Sequence, residues 1–175
     1  QLGRTVTVPR NPARVIALAP SITEIVYALN QQHRLVGVTR YSDYPAAAQS
    51  LPQVGSYVQL NLEKIASLTP DLCIAVKDGN PLKVIQRMEA LNIPAYAVDP
   101  RDFTAIGVTI NEIGSLLGAK ARADDINGEM AARIARVQSR IEGKKTRPRV
   151  FFQIGVSPIV APGTDTFIHE LIEMA

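Results

Sequence analysis

Short apolar segments alternate with helical patterns through the first 118 residues of the chain. Continuous apolar segments of this length are typical of strands covered on both faces of a sheet. They are residues 15–19, 35–39, 71–76 and 94–98. Between them, apolar residues recur at helical spacing, so the order strand–helix repeats four times. This order predicts an α/β fold with a parallel, Rossmann-like sheet flanked by helices.

Polar residues mark the predicted helix starts. Ser21 with Glu24 has the spacing of a capping box, in which the Ser21 hydroxyl accepts a hydrogen bond from the Glu24 amide. Asn61, Asn80 and Asp102 are each predicted to cap one of the next three helices. Near the N-terminus, the alternation RTVTV predicts an edge strand.

The pattern changes after Gly118. A regular apolar stripe predicts one helix over residues 119–141, which would be roughly 34 Å long. A strand at 150–154 and an amphipathic helix at 167–175 follow. One strand and one helix do not complete a domain. We therefore predict an N-terminal α/β lobe at 1–118, a linker helix at 119–143 and the start of a truncated second lobe at 144–175.

Two expectations concern the ends of the sequence. The apolar face of the last helix lacks a sheet to cover, so we expect the chain to be a fragment that self-associates through this helix. The first residue is Gln1, so we expect a leader to have been removed or omitted.

The predicted binding site lies at the carboxyl edge of the sheet, where open α/β sheets bind ligands. The stretch VGVTRYSDYP, residues 36–45, runs from an apolar strand into two tyrosines and an acid beside a proline. It opens a long connection, and long connections in compact α/β units are usually functional. The other segments expected at this edge are residues 20–21, 77–80 and 99–102.

Composition and motifs exclude several functions. The net charge is +3, but the basic residues between 133 and 149 form a helical stripe without interleaved aromatics, so we expect no nucleic-acid binding. Cys73 lies in an apolar run and the two histidines lack partners at ligand spacing, so we expect no metal site. Dinucleotide, phosphate-loop and serine-hydrolase motifs are absent from the sequence. We therefore expect no catalytic residues, no intrinsic cofactor and no enzymatic activity.

Several stretches together resemble the periplasmic cobalamin-binding proteins of ABC importers. They are ARVIALAPSITEIVYAL, VGVTRYSDYP, NLEKIASLTPDLCIAV, the long linker helix and RVFFQIGVSPIVAPG. The wider group binds corrinoids, haem and ferric siderophores between two lobes joined by a rigid helix. Within it, YSDYP is the stretch most typical of cobalamin binding.

The resemblance implies roles for individual residues. Tyr41 would face the corrin ring, and Tyr57 would pack on the ligand where the family usually has Trp. Ser21 would line the cleft. Val76 stands at a strand end that often offers another aromatic, and Lys77 and Asp78 follow it at the cleft rim.

The resemblance also implies partners and a location. Glu63, the acid of the NLE motif, would dock on an arginine of the ABC importer permease, and its counterpart would belong to the second lobe. The location would be periplasmic or extracytoplasmic, with a lipid anchor left open.

Structural interpretations stay open for the same residues. In that case the Tyr41 ring would pack on the sheet, and the negative charge of Glu63 would only stabilise its helix by interacting with the helix dipole. Lys77 and Asp78 would be solvated turn residues. For Tyr44 we expect inward packing beside Pro45.

Two other functions also stay open. A haem or ferric-siderophore binding protein would share the fold, and an anionic siderophore would need cleft cations, for which Arg40, Lys77 and Arg101 are the candidates. A nucleotide-dependent α/β enzyme is disfavoured by the missing phosphate loop.

Overall fold

A four-stranded parallel sheet forms the centre of the computed structural model, which describes residues 5–144, 146–164 and 166–175. The strand order is β2-β1-β3-β4. The strands are β1 (Val15–Ala17), β2 (Leu35–Gly37), β3 (Leu72–Val76) and β4 (Ala95–Val98). All three neighbouring pairs are parallel. This confirms the predicted α/β class.

Helices cover both faces of the sheet. They are α1 (Pro20–Ala28), α2 (Leu62–Ser67), α3 (Leu82–Ala90) and α4 (Phe103–Leu116). Successive residues of β1 point to opposite faces of the sheet and belong to two separate hydrophobic cores. Val15 and Ala17 pack with residues of α1 and α4, whereas Ile16, together with Leu18 just after the strand, packs with residues of α2 and α3. Because both faces are covered, the strands are apolar throughout rather than alternating.

The core thiol of Cys73 belongs to the α2–α3 side and is fully buried. Desolvation raises its pKa to about 12. Thiolate is the reactive form, so Cys73 is an inert core side chain in the folded chain.

The long helix α5 (Lys120–Ile141) packs on the sheet domain through its first half only. Ala123 is buried, and Ile126 and Met130 contact the core. Close approach to α4 depends on Gly114: a Cβ at that position would lie 2.7 Å from the Cβ of Ala123. The second half of α5 is largely exposed.

A hairpin and a final helix follow α5. The hairpin pairs β5 (Gly155–Val156) with β6 (Ile159–Val160), and α6 (Phe167–Met174) closes the chain. Two contacts attach α6 to the start of α4: the Phe103 and Phe167 rings lie 5.3 Å apart, and the Phe103 amide donates to Glu170 Oε2 at 2.9 Å.

Two strand predictions are wrong. Residues 150–153 form no strand, although the Ile154 amide donates to the Val160 carbonyl at 2.8 Å and so extends the hairpin. Residues 5–8 form no strand either, and Arg4 lies outside the described residues. A strand requires a neighbour to complete its hydrogen bonds, and no described segment pairs with either stretch.

The capping predictions were correct at two helices and wrong at two. Asn61 accepts from the Lys64 amide at 2.9 Å, and Asp102 accepts from the Ala105 amide at 2.7 Å. Ser21 caps nothing, because α1 begins one residue earlier, at Pro20, whose fixed φ suits the first helical position. Asn80 does not cap α3 either, since its side chain bonds elsewhere.

None of the helices described here is both long and apolar enough to cross a membrane.

The glycine contact between α4 and α5 generates a prediction. Gly114→Ala should lower the free energy of unfolding by about 1–2 kcal/mol, because overpacking against Ala123 outweighs the better helix propensity of alanine. Gly128→Ala is the matched control: this site in α5 has open space around it, so the same change should raise stability by up to about 1 kcal/mol. Urea denaturation followed by circular dichroism measures both. Equal stabilisation of the two variants would contradict the role given to Gly114.

Candidate functional site

The carboxyl ends of the strands carry the segments predicted for the site. Ser21 lies exposed in the first turn of α1, after β1. Residues 38–61 connect β2 to α2, residues 77–81 follow β3, and residues 99–102 follow β4. Because the strands are parallel, these segments share one edge of the sheet.

Three buried hydroxyl groups hold the Tyr41 loop against α1. Thr23 Oγ1 donates to Ser42 Oγ at 3.0 Å, and Ser42 Oγ and Thr39 Oγ1 are hydrogen-bonded at 2.9 Å. All three residues are buried. Buried hydroxyls that bond each other avoid a desolvation cost, so residues 39–42 have a well-defined position.

The Tyr41 side chain projects from this anchored loop. It is 55% exposed, and the Arg40 guanidinium carbon lies 5.8 Å from its ring centroid, within cation–π range. Tyr44 is 67% exposed, so the prediction that it packs inward beside Pro45 is wrong. With Ser42 occupying the buried position of this loop, both tyrosine rings are available at the surface.

A second loop, which carries Tyr57, runs beside the first. The Val38 amide donates to the Pro52 carbonyl at 3.0 Å, and the Val54 amide returns a bond to the Val38 carbonyl at 2.9 Å. The Arg40 amide then donates to the Gly55 carbonyl at 2.8 Å. These bonds bring the segments before Tyr41 and Tyr57 to the same edge of the sheet.

Asn80 links three parts of this edge. Its Oδ1 accepts from the Val76 amide at 2.8 Å, and its Nδ2 donates to the Leu18 carbonyl at 2.9 Å and to the Tyr57 carbonyl at 2.7 Å. The side chain therefore connects the end of β1, the end of β3 and the Tyr57 loop. Sequence reasoning missed this role because an asparagine before Pro and a helical pattern resembles a cap.

The Tyr57 ring lies against the turn after β3. A Cβ at Gly79 would be 3.0 Å from Val76 Cγ2 and 3.1 Å from Tyr57 Cδ2. The structure thus brings Tyr57 and Val76 together beside the turn that carries Lys77 and Asp78. Tyr57 remains 40% exposed, so part of its ring can still receive a ligand.

Four charged side chains form a network where β3 and β4 end. Lys77 Nζ lies 3.0 Å from Asp99 Oδ2, and Arg101 Nε lies 2.8 Å from Asp99 Oδ1. Arg101 Nε is also 3.6 Å from Asp78 Oδ2. Desolvation raises the pKa of Asp99, but hydrogen bonds and attraction from Arg101 and Lys77 outweigh it, so this pKa is lowered overall. The sequence placed Lys77 and Arg101 at this edge but did not indicate that Asp99 pairs with both, because the chain crossover between β3 and β4 sets these contacts.

A cavity of about 460 Å³ lies beside this network. Its walls include Asp78, Asp99 and Arg101, together with Thr166 and Phe167 at the start of α6. The edge of the sheet and the beginning of α6 therefore face each other across an open space.

A larger apolar hollow of about 830 Å³ is lined by the end of α5, residues 146–152 and α6. Self-association through α6 stays a prediction.

Glu63 is separate from these side chains. It lies exposed in the first turn of α2, whose start is capped by Asn61.

In the described part of the chain, no group of three or more His, Cys, Asp or Glu side chains is arranged to hold a metal ion. The site offers aromatic faces, hydroxyls and paired charges, which are groups that bind ligands without covalent bonds.

The Asn80 linkage generates a prediction. Asn80→Ala should lower the free energy of unfolding by about 3 kcal/mol, because it leaves the Val76 amide and two carbonyls without their partner. Asn61→Ala is the matched control and should cost about 1 kcal/mol, the usual effect of losing an exposed helix cap. Chemical denaturation compares the two variants. A loss at Asn80 no larger than the loss at Asn61 would reject the linkage.

Comparison with curated proteins finds relatives that share most of this chain. The vitamin B12-binding protein of Pectobacterium carotovorum is 30% identical over 164 residues, which is 93% of this chain and 59% of the relative. The vitamin B12-binding protein of Pectobacterium atrosepticum is 31% identical over 167 residues, with 93% and 60% covered. The chain therefore spans about 60% of the length of the curated relatives it matches.

Solved structures share the fold. The periplasmic vitamin B12-binding protein of Vibrio cholerae superimposes with a TM-score of 0.84 at 28% identity, covering 95% of this chain and 65% of that one. The apo periplasmic haem-binding protein of Roseiflexus sp. RS-1 has a TM-score of 0.84 at 25% identity, covering 92% and 63%. The family model described as periplasmic binding protein matches residues 15–175. Because this match covers most of its length, the chain belongs to the periplasmic binding protein family.

Proposed function

We propose that this chain is part of a periplasmic solute-binding protein that captures cobalamin between two lobes and delivers it to an ABC importer permease. The observation that carries the proposal is the pair of exposed rings, Tyr41 and Tyr57, on adjacent loops anchored at the carboxyl edge of the sheet. Relatives named vitamin B12-binding proteins, in several bacteria, support it.

The proposed binding mechanism follows from the shape of the ligand. A corrin ring is flat and carries amide side chains, so aromatic faces and neutral hydrogen-bonding groups suit it. Tyr41 and Tyr57 would contact the ring. Ser21, Val76 and the turn with Lys77 and Asp78 would complete the wall provided by this chain.

The proposed architecture assigns residues 1–118 to the first lobe, 119–143 to the linker helix and 144–175 to the beginning of the second lobe. Ligand would bind where the sheet edge faces the start of α6. The protein would carry no intrinsic cofactor and catalyse no reaction, since cobalamin would be cargo. A periplasmic location agrees with the family, and a lipid anchor is left open.

Haem is the second candidate ligand, because the haem-binding protein of Roseiflexus is as similar in structure as the vitamin B12-binding protein of Vibrio cholerae. Haem carries two propionates, which favour free cations in the cleft. Two of the three candidate cations, Lys77 and Arg101, are paired with Asp99, and Arg40 lies over the Tyr41 ring. These contacts favour the neutral amide periphery of cobalamin.

The ligand assignment is tested by titrating the protein encoded by the complete reading frame with cyanocobalamin and with haem. Tyr41→Ala and Tyr57→Ala should each weaken cyanocobalamin binding about tenfold or more, since each removes an aromatic face that the ligand would bury. Isothermal titration calorimetry measures both affinities.

The conservative variants Tyr41→Phe and Tyr57→Phe are the matched controls. They retain the rings and should bind cyanocobalamin within about threefold of the wild type, which is less than 1 kcal/mol. Tight haem binding by the wild type, with no detectable cyanocobalamin binding, would reject cobalamin as the ligand.

Glu63 is the proposed permease contact. Its carboxylate is exposed at the start of α2, where a partner arginine can approach it. Glu63→Arg reverses this charge and should reduce cobalamin uptake through the reconstituted importer at least tenfold, while ligand affinity stays unchanged. Glu142→Arg makes the same charge change at another exposed position, the end of α5, and should leave uptake near the wild-type rate. Equal uptake by the two variants would exclude Glu63 as a docking residue.

A further inference from the structure

The charge network beside the cavity is electrically balanced. Lys77 and Arg101 contribute two positive charges, and Asp78 and Asp99 contribute two negative ones. Asp99 is the centre of the network, because its Oδ2 accepts a hydrogen bond from Lys77 and its Oδ1 accepts one from Arg101. The side chain of Asp99 is only 14% exposed, whereas those of Asp78 and Arg101 are more than half exposed.

This geometry determines what an incoming anion would meet. A ligand carboxylate approaching Lys77 or Arg101 would have to replace Asp99, which is covalently fixed and already bonded at 3.0 and 2.8 Å. It would also bring a third negative charge next to Asp78, at the wall of the same cavity. A neutral amide carries neither cost, because it need not displace the carboxylate.

We propose that Asp99, supported by Asp78, determines ligand specificity by neutralising Lys77 and Arg101, so that the cavity favours ligands fringed with amides over ligands fringed with carboxylates. This inference rests on the proposed function, since it takes the cavity to be part of the ligand cleft. It adds a reason for discrimination between two ligands that both contain a flat tetrapyrrole-derived ring. The aromatic rings alone would accept either one.

The test uses Asp99→Asn in the protein encoded by the complete reading frame, with haem and cyanocobalamin as probes. The amide of asparagine retains the shape of the side chain but not its charge, which leaves Lys77 and Arg101 with only Asp78. Haem affinity, followed by its absorbance, should rise about tenfold at low salt, equivalent to about 1.4 kcal/mol. The gain should shrink at high salt because the freed cations are close to solvent. Cyanocobalamin affinity should change by a smaller factor than haem affinity, because its amides need not displace a carboxylate.

Asp124→Asn is the matched control. It removes the same charge from another carboxylate–lysine pair, with Lys120 Nζ 3.0 Å from Asp124 Oδ1, on the exposed face of α5. Its haem and cyanocobalamin affinities should both equal those of the wild type. Asp78→Asn provides a second cleft variant at an exposed position, where loss of folding is not expected, and should change haem affinity in the same direction by a smaller factor.

Three outcomes decide the inference. A higher haem affinity in Asp99→Asn, without a matching change in cyanocobalamin affinity and absent from Asp124→Asn, supports it. Haem affinities of Asp99→Asn and Asp78→Asn within twofold of the wild type overturn it, and so does an equal change for both probes. Failure of the wild type to bind cyanocobalamin would reject the proposed function instead. The ratio of variant to wild-type haem affinity would still decide the role of Asp99.

Discussion

The hydrogen bonds of one amide side chain, that of Asn80, hold the carboxyl edge of the sheet together. Parallel strands pair along their length, but their backbones diverge where loops begin, and buried polar groups there need other partners. Asn80 supplies one acceptor and two donors at this point, to Val76, Leu18 and Tyr57. Two strand ends and the Tyr57 loop consequently have fixed relative positions. The hydroxyl cluster around Ser42 does the same for the Tyr41 loop.

Most of the fold could be predicted from the sequence because its strands and helices are marked by the residues within and next to them. Strands covered on both faces must be apolar at every position, so the residues of β1 and β3 indicate their own structure. Asn61 and Asp102 precede clear helical patterns and cap them. Residues 150–153 are also mostly apolar but form no strand, because strand formation depends on a neighbouring strand that the local pattern cannot supply.

The candidate site was predictable in position but not in detail. The edge of the sheet and its tyrosines followed from the topology and the family resemblance, whereas Asn80 and Ser21 were both interpreted as caps. Asn80 bonds across 62 residues to Leu18, and Lys77 pairs across 22 residues with Asp99. Such partners are set by chain crossovers. No periodicity in the sequence identifies them. The cap at Asn80 was wrong because of these tertiary bonds, whereas the cap at Ser21 was wrong because α1 begins one residue earlier, at Pro20.

The contact between Glu170 and the Phe103 amide bears on the mechanics of the molecule. A helix of 22 residues is about 33 Å long, so a rotation of about 5° at its base would move its far end by about 3 Å. A small rotation of α5 would therefore cause a large displacement of the hairpin and of α6, which follow it in the chain. Glu170 returns the end of the chain to the start of α4 and bonds it there at 2.9 Å, beside the Phe103–Phe167 ring contact. A rotation of α5 about its base would have to break this hydrogen bond or separate the two rings, so these contacts oppose that rotation.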